Sequence, residues 1–271
     1  IRQMLNHTSG IFNTGDNPKY WAAQYGDPTK EWTDTEVLEF ALDQPAYFEP
    51  GSGYAYSNTD YLLTGLILDQ VLGHHHSVDV RSRILEPLGL SSTFYEQKEP
   101  FDREMLSHGY FDFHGDGIAE DYYGLRIETG HAEGGLVSTA GDLAAFITAL
   151  ATQRDFPSTE YREQFMQELL TIQPVTSGEP GQVGTGPGIA EYDYGYGPGY
   201  GHSGGIPGYV SLMVYFAAHD VTFAMTWNGF DGGFAFFGMV PALYKALIEE
   251  TFSALGIAST LADDASGGDM Y

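Results

Sequence analysis

Tyr56-Ser57-Asn58 and His202-Ser203-Gly204-Gly205 are the two short polar motifs in this chain whose side chains could do chemistry. The second joins an imidazole whose charge changes near neutral pH, a hydroxyl able to hold a carboxylate, and two glycines that let a ligand's backbone come close. His202 could donate a hydrogen bond to Tyr56 or to a substrate carboxylate. The first motif offers a phenol, a hydroxyl and an amide. A phenol ordinarily titrates near 10, so proton transfer through Tyr56 at neutral pH needs a positive charge beside it. Each motif also has a plainer reading. Tyr56-Ser57-Asn58 can be a turn and cap before a helix, and His202-Ser203-Gly204 a glycine-rich strand entry.

Both need elements to hold them. The tyrosine motif follows the turn Pro50-Gly51-Ser52-Gly53, and Ser57, Asn58 or Thr59 could cap an apolar helix from Asp60 to Leu72, closed by Gly73. His202 falls in the first of three stretches rich in β-branched and aromatic residues, 200–206, 209–217 and 221–228, with Ala218-His219-Asp220 as a hairpin tip. The remaining pattern predicts helices over 1–6, 35–42 (capped by Thr33 or Asp34, with Glu36 in its first turn), 78–85, 139–150, 158–170 and 233–255. The polar stretch that ends near Glu31 reads as a loop, and 91–130 as short strand-like pieces in loops. Helices, then antiparallel strands, then a helix make an α+β protein: a helical lobe over about 1–177 beside a sheet and closing helix over about 200–255. Residues 178–199, rich in Gly, Pro and Tyr, read as a surface linker, and 256–271 as a frayed tail.

Composition narrows the partners. The 271 residues carry 37 acidic against 11 basic side chains, a formal charge of −26. Such a surface repels nucleic acid and anionic membranes and suits a highly soluble protein, including one in a salty habitat. There is no cysteine, which removes disulfides and thiolate chemistry. No apolar stretch reaches the ~18 residues of a membrane span. Neither a metal nor a cofactor is expected. Consecutive side chains such as His74-His75-His76 diverge, which favours an exposed loop over a shared ion. Asp112, His114 and Asp116 lack a complete calcium-loop pattern.

Five segments, in this order, carry a family resemblance: Ile1-Arg2-Gln3-Met4-Leu5-Asn6-His7-Thr8-Ser9-Gly10, Pro50 to Gly73 around Tyr56, Arg83 to Leu90 with Thr93-Phe94-Tyr95, Glu133 to Leu143, and His202 to Tyr209. Together they resemble the serine β-lactamase-like hydrolases: class C β-lactamases, low-molecular-weight penicillin-binding proteins, D-aminopeptidases and related esterases. The resemblance implies a β-lactamase/D,D-peptidase-like α+β fold whose nucleophile lies in an S-x-x-K helix. The only lysines are Lys19, Lys30, Lys98 and Lys245, preceded three places earlier by Asp16, Asp27, Tyr95 and Ala242, so residues 1–271 contain no S-x-x-K. The fold is therefore expected to be incomplete at its N-terminus, with residue 1 a fragment boundary and any export signal upstream. Exposed apolar surface should then be covered by a complementary segment or by self-association. The resemblance further implies that Tyr56 acts as general acid/base with the absent lysine. Asn58 would hold that lysine and the substrate's amide carbonyl, and the Gly205 N–H would form half of the oxyanion hole. His202, Ser203 and Gly204 would meet the substrate, a D-amino-acid peptide, a β-lactam or a small ester. A histidine in place of the lysine of many β-lactamases resembles the D,D-peptidase and D-aminopeptidase branches. By the same resemblance His7, beside Thr8-Ser9, is expected to make a structural hydrogen bond, and the location is periplasmic or extracellular. The competing expectation is a catalytically inactive homologue that binds a ligand or serves as an interaction domain.

Overall fold

In the last third of the chain apolar residues alternate, and that alternation builds the sheet on which the structure is organised. The computed structural model describes residues 1–127, 130–154, 162–175, 181–230 and 235–260. Its helices are α1 (Arg2–Leu5), α2 (Pro18–Gly26), α3 (Asp34–Leu42), α4 (Asn58–Leu72), α5 (Ser77–Val80, continued by a π-helical turn Arg81–Leu85), α6 (Ala140–Thr152), α7 (Arg162–Leu169) and α8 (Ala235–Ala254). Short strands β1 (Phe94–Tyr95), β2 (Tyr110–Phe111), β3 (Glu120–Asp121), β4 (Leu136–Val137) and β5 (Gln173–Pro174) lie among them. The longer strands follow: β6 (Gln182–Gly186), β7 (Ile189–Asp193), β8 (Pro198–Ile206), β9 (Tyr209–Phe216) and β10 (Val221–Trp227), with β11 (Gly229–Phe230) pairing β2. The result is a mixed α+β fold.

The main sheet has six strands in the order β10-β9-β8-β7-β6-β5, each antiparallel to its neighbours. Along β9, Val210, Leu212, Val214 and Phe216 point into one core with Tyr244, Ile248 and Phe252 of α8. The alternate residues Met213 and Tyr215 meet Ile147 and Leu150 of α6 and Leu169 of α7 on the other face. That period of two places a helical layer on each side of the sheet. A separate small core joins Tyr20, Val37 and Leu62 in the helical lobe.

Two expectations about local structure are overturned. The linker over 178–199 is a β-hairpin within the sheet, β6 and β7, with residues 176–180 outside the described set. Its tyrosines explain the change: Tyr192, Tyr194 and Tyr196 are buried against α8 and belong to the main core. Glycines fit there because the backbone is crowded; a Cβ on Gly184 would lie 2.3 Å from the Ile172 side chain. Among the described residues the sheet therefore has six strands and not three. The polar stretch before Glu31 likewise contains α2, started by Asn17, whose side chain accepts from the Lys19 N–H, and by Pro18 in the first turn.

Other expectations are met closely. Thr33 and Glu36 form a capping box at α3, Thr139 caps α6, and Gly73 closes α4 at φ 74°. The expected helix over 158–170 is seen from Arg162, the closing helix from Ala235, and the flanking residues 155–161 and 231–234 lie outside the described set. Of the tail, Ile257 packs on the main core and Thr260 bonds Gly195, so the chain is held at least that far; 261–271 lie outside the described residues.

Two carboxyl groups, one at the start of α3 and one in the loop after His131, are shielded from water. Asp34 accepts from the buried His131 at 2.6 Å. Burial opposes its ionisation, but the His131 hydrogen bond prevails and holds the carboxyl below its ordinary range. Nearby Glu133 has its Oε2 buried without a hydrogen-bond partner among the described residues. Burial pushes this carboxyl from 4.5 up to about 7. Between those values the folded chain keeps a proton that the unfolded chain has released. The stability from this group is complete below about pH 4.5 and lost as pH rises through 7. Denaturant unfolding from pH 4.5 to 8 should lose roughly 1–3 kcal/mol from this source, and Glu133→Gln should flatten that slope. An unchanged slope in the variant would place the titration elsewhere.

Candidate active site

Tyr56 stands at the N-terminus of α4, and the first turn of this helix is capped from elsewhere in the chain. Ser57, its N-cap, makes no side-chain cap hydrogen bond. The Ser57 N–H instead donates to Nδ1 of His7 at 3.2 Å, and the Asn58 N–H to Oδ1 of Asn13 at 3.1 Å. Thr59 accepts from the Thr14 N–H at 2.9 Å, and Asp60 accepts from the Ser9 hydroxyl at 2.6 Å. Asn6, His7, Thr8 and Ser9 are all buried. Backbone bonds complete the dock: Tyr47 N–H to Gly10, Gly51 N–H to Thr8, and Ala55 N–H to His7. Gly10 sits at φ 76°, and a Cβ there would lie 2.1 Å from the Phe48 carbonyl oxygen, so this approach admits only glycine.

The sheet supplies the other wall. The β7–β8 ladder ends at Gly201, whereas the β8–β9 ladder runs on through Ile206. Among the described residues, Gly204 and Gly205 therefore have a strand neighbour on the β9 side only. A Cβ on Gly201 would fall 1.8 Å from the Met213 carbonyl oxygen, which sets how closely β8 lies on β9. The His202 ring bonds the Ser203 carbonyl oxygen through Nδ1. Its centroid lies 6.4 Å from that of Tyr56.

The structure thus brings Tyr56 and His202, 146 residues apart in sequence by their numbers, to the two sides of one site. Tyr56 is exposed (44%). The Asn58 side chain makes no hydrogen bond to another described residue. Ser203 and Gly204 are half-buried and Gly205 exposed on the same strand segment. Phenol, imidazole, hydroxyl, amide and backbone N–H groups on two rigid walls can move a proton and hold a polarised carbonyl. Below Tyr56, Tyr61 donates to the Leu5 carbonyl at 2.7 Å, and burial, then the neighbouring Tyr56 and Asp60, push its phenol far up, so it stays protonated.

Sequence pattern did not single out Asn13, placed Asp60 only at the start of a helix, and led to no more than a structural bond for His7. That bond is present, and its acceptance from the tyrosine motif itself is the new information. The signal was the run of small polar residues at 6–9, too polar for an ordinary buried loop.

The histidine cluster differs from its expected exposed loop. His76 is buried, with Nδ1 on Asp69 at 2.7 Å and Nε2 on the Tyr95 hydroxyl at 2.7 Å. His75 stacks on it at 4.3 Å. Asp69, His75 and His76 bring one ligand-type atom each within 4.8 Å of one another. The His76 ring nitrogens are already both engaged, and stacked rings do not aim their lone pairs at one point. Asp112 spends its carboxylate on the Gly115, Asp116 and Gly117 N–H groups of its own loop.

Comparison with known proteins decides the family. The sequence model of the Beta-lactamase family matches residues 1–244. The chain belongs to the β-lactamase family. Penicillin-binding protein 4* of Bacillus subtilis (strain 168) is 28% identical over 245 residues, covering 82% of this chain and 49% of that protein. A putative D-alanyl-D-alanine carboxypeptidase of Escherichia coli (strain K12) is 30% identical over 95 residues, 35% of this chain and 21% of that one. The chain therefore spans about half, or less, of the length of these curated relatives. Among solved structures, the D-amino acid amidase from Ochrobactrum anthropi SV3 superposes with TM-score 0.78 at 27% identity, covering 94% of this chain and 73% of that one. The D-stereospecific amidohydrolase from a Streptomyces species gives 0.77 at 26%, covering 92% and 71%. No described helix is long and apolar enough to cross a membrane.

Within this β-lactamase-family chain, the N-terminus of α4 depends on Asn13. Asn13→Ala should cost about 1–2 kcal/mol in denaturant unfolding, because the Asn58 and Gly15 N–H groups lose their acceptor. Asn13→Asp, which keeps the oxygen, should recover most of it. Equal losses in both variants would contradict the capping role.

Proposed function

We propose that this chain forms most of a serine hydrolase that acts through an acyl-enzyme on D-amino-acid peptides, amides or β-lactams. The observation that supports it most is the approach of Tyr56 and His202 across one site, in a chain of the β-lactamase family. The nucleophilic serine and its lysine lie outside these 271 residues, which contain no S-x-x-K. The serine oxygen attacks the substrate carbonyl while its proton passes to the lysine–Tyr56 pair. The Gly205 N–H and the nucleophile's own N–H hold the oxyanion. As the carbonyl re-forms, the C–N bond breaks and Tyr56 delivers the proton to the leaving nitrogen. Water then repeats the attack and releases the acid. Asn58 orients the lysine and the substrate amide. His202 and Ser203 bind the substrate carboxylate, and Gly204 leaves room for its backbone.

The protein would also need a covering segment. On this proposal the missing portion seats against the outer edge of β10, which among the described residues pairs only with β9 and where Trp227 is exposed, and in an open groove of about 400 Å³ lined by Leu88, Ala144, Ala145, Thr148, Ala149 and Arg154. A second copy of the chain is the other candidate. The second functional reading, a ligand-binding relative without turnover, is favoured by one observation, the lack of S-x-x-K in residues 1–271.

Intact-mass measurement separates the readings. The complete reading frame that contains these residues should gain the mass of one penicillin, on a serine outside 1–271, and should hydrolyse D-phenylalanine amide or a D-alanyl-D-alanine peptide. Tyr56→Phe should slow acylation by roughly 10²-fold or more. Residues 1–271 alone should gain no adduct. A complete protein with neither adduct nor turnover would leave only the binding reading.

A further inference from the structure

His7 is placed in a way that an ordinary buried histidine is not. Its carbonyl oxygen accepts from the Ala55 N–H at 3.1 Å, and its Nδ1 accepts from the Ser57 N–H at 3.2 Å. One residue thus binds the backbone on both sides of Tyr56. Its ring also lies against the Tyr56 ring, centroids 4.2 Å apart at 37°. To do this the His7 backbone adopts φ 57°, a left-handed conformation uncommon outside glycine. We propose that His7 is a positioning residue for Tyr56, a clamp that fixes where the phenol stands relative to His202.

The hydrogen-bond pattern sets the ring's chemical state. Because Nδ1 accepts the Ser57 N–H, the neutral ring carries its proton on Nε2. Asp60, buried in the first turn of α4, has its Oδ2 3.7 Å from the same Nδ1 and without a hydrogen-bond partner among the described residues. A proton on Nδ1 would turn that atom from acceptor to donor, release the Ser57 N–H and draw the ring towards Asp60. The clamp therefore holds Tyr56 in one tautomer and lets go in the other. Tyr61, at 5.3 Å on the same ring, and Tyr54, at 6.2 Å, pack the imidazole so that it cannot turn aside freely. Ser9 holds the other oxygen of Asp60 and keeps the carboxylate below the ring.

This inference rests on the reading that Tyr56 carries the proton in catalysis, but its first test needs no turnover. Long-range proton–nitrogen correlation on the 271-residue chain with labelled histidine should show His7 protonated at Nε2, with Nδ1 in the acceptor range. Two variants then separate the clamp from general packing. His7→Gly keeps the left-handed backbone and the Ala55 bond while removing the ring. His7→Asn tolerates the same backbone and returns an oxygen that can accept from Ser57. The Ser57 amide should exchange about five- to tenfold faster in His7→Gly and recover in His7→Asn, as the loss of one net hydrogen bond predicts. Cross-peaks between the Tyr56 and His202 rings, assigned with Tyr56→Phe, should weaken and return in parallel. In the complete protein, acylation by penicillin should fall roughly 10- to 100-fold in His7→Gly and be largely restored in His7→Asn. An Nδ1–H tautomer in the unmodified chain, or undiminished Tyr56–His202 cross-peaks in His7→Gly, overturns the proposal; if His7→Gly does not fold, the tautomer decides alone. A complete protein that never acylates would sink the hydrolase reading while leaving these magnetic-resonance results to stand on their own.

Discussion

The first turn of an α-helix carries backbone N–H groups with no partner inside the helix, and in α4 the segment 6–14 satisfies them from outside. Most helices solve this with their own N-cap side chain. Here Ser57 does not, and its hydroxyl is buried without a partner among the described residues. The consequence reaches the site directly, because the capped turn carries Tyr56 and Asn58. Each bond is worth only about 1 kcal/mol net, yet leaving such a buried N–H unsatisfied costs more than making the bond gains. The segment 6–14 and the tyrosine motif therefore order together or not at all.

The opposite wall has a different physical origin. β8 is fixed by its ladder to β9 and by the close backbone contact at Gly201, which leaves no room for a side chain. With α8 on one face and α6 and α7 on the other, the sheet is a rigid floor. The β7 ladder ends at Gly201, so among the described residues Gly204 and Gly205 have no ladder partner on the β7 side. A flexible loop in either wall would defeat the geometry, since proton transfer needs partners held within hydrogen-bond reach.

Much of this was legible in the sequence where one local rule dominates. The capping box at Thr33 and Glu36, the stop at Gly73 and the alternation along β9 each follow from short-range pattern. The strand segment with His202 was readable for the same reason. The hairpin of β6 and β7 was not, because glycine-rich, tyrosine-rich sequence resembles a surface loop until α8 is present to cover it. The buried state of His76 depends on Asp69 and Tyr95, 7 and 19 residues away, and the function of Asn13 on a helix 45 residues later. Periodicity has no access to such pairings. The polarity of residues 6–9 was the trace left by the dock on α4.

The central claim is that the docked turn of α4 sets Tyr56 opposite His202. Nuclear Overhauser contacts between these two rings test it most directly. Centroids 6.4 Å apart bring ring protons near enough for cross-peaks, and the account predicts them in the folded chain. A Tyr56 ring with contacts to His7 but none to His202, in a chain whose β8–β9 contacts are intact, would contradict it.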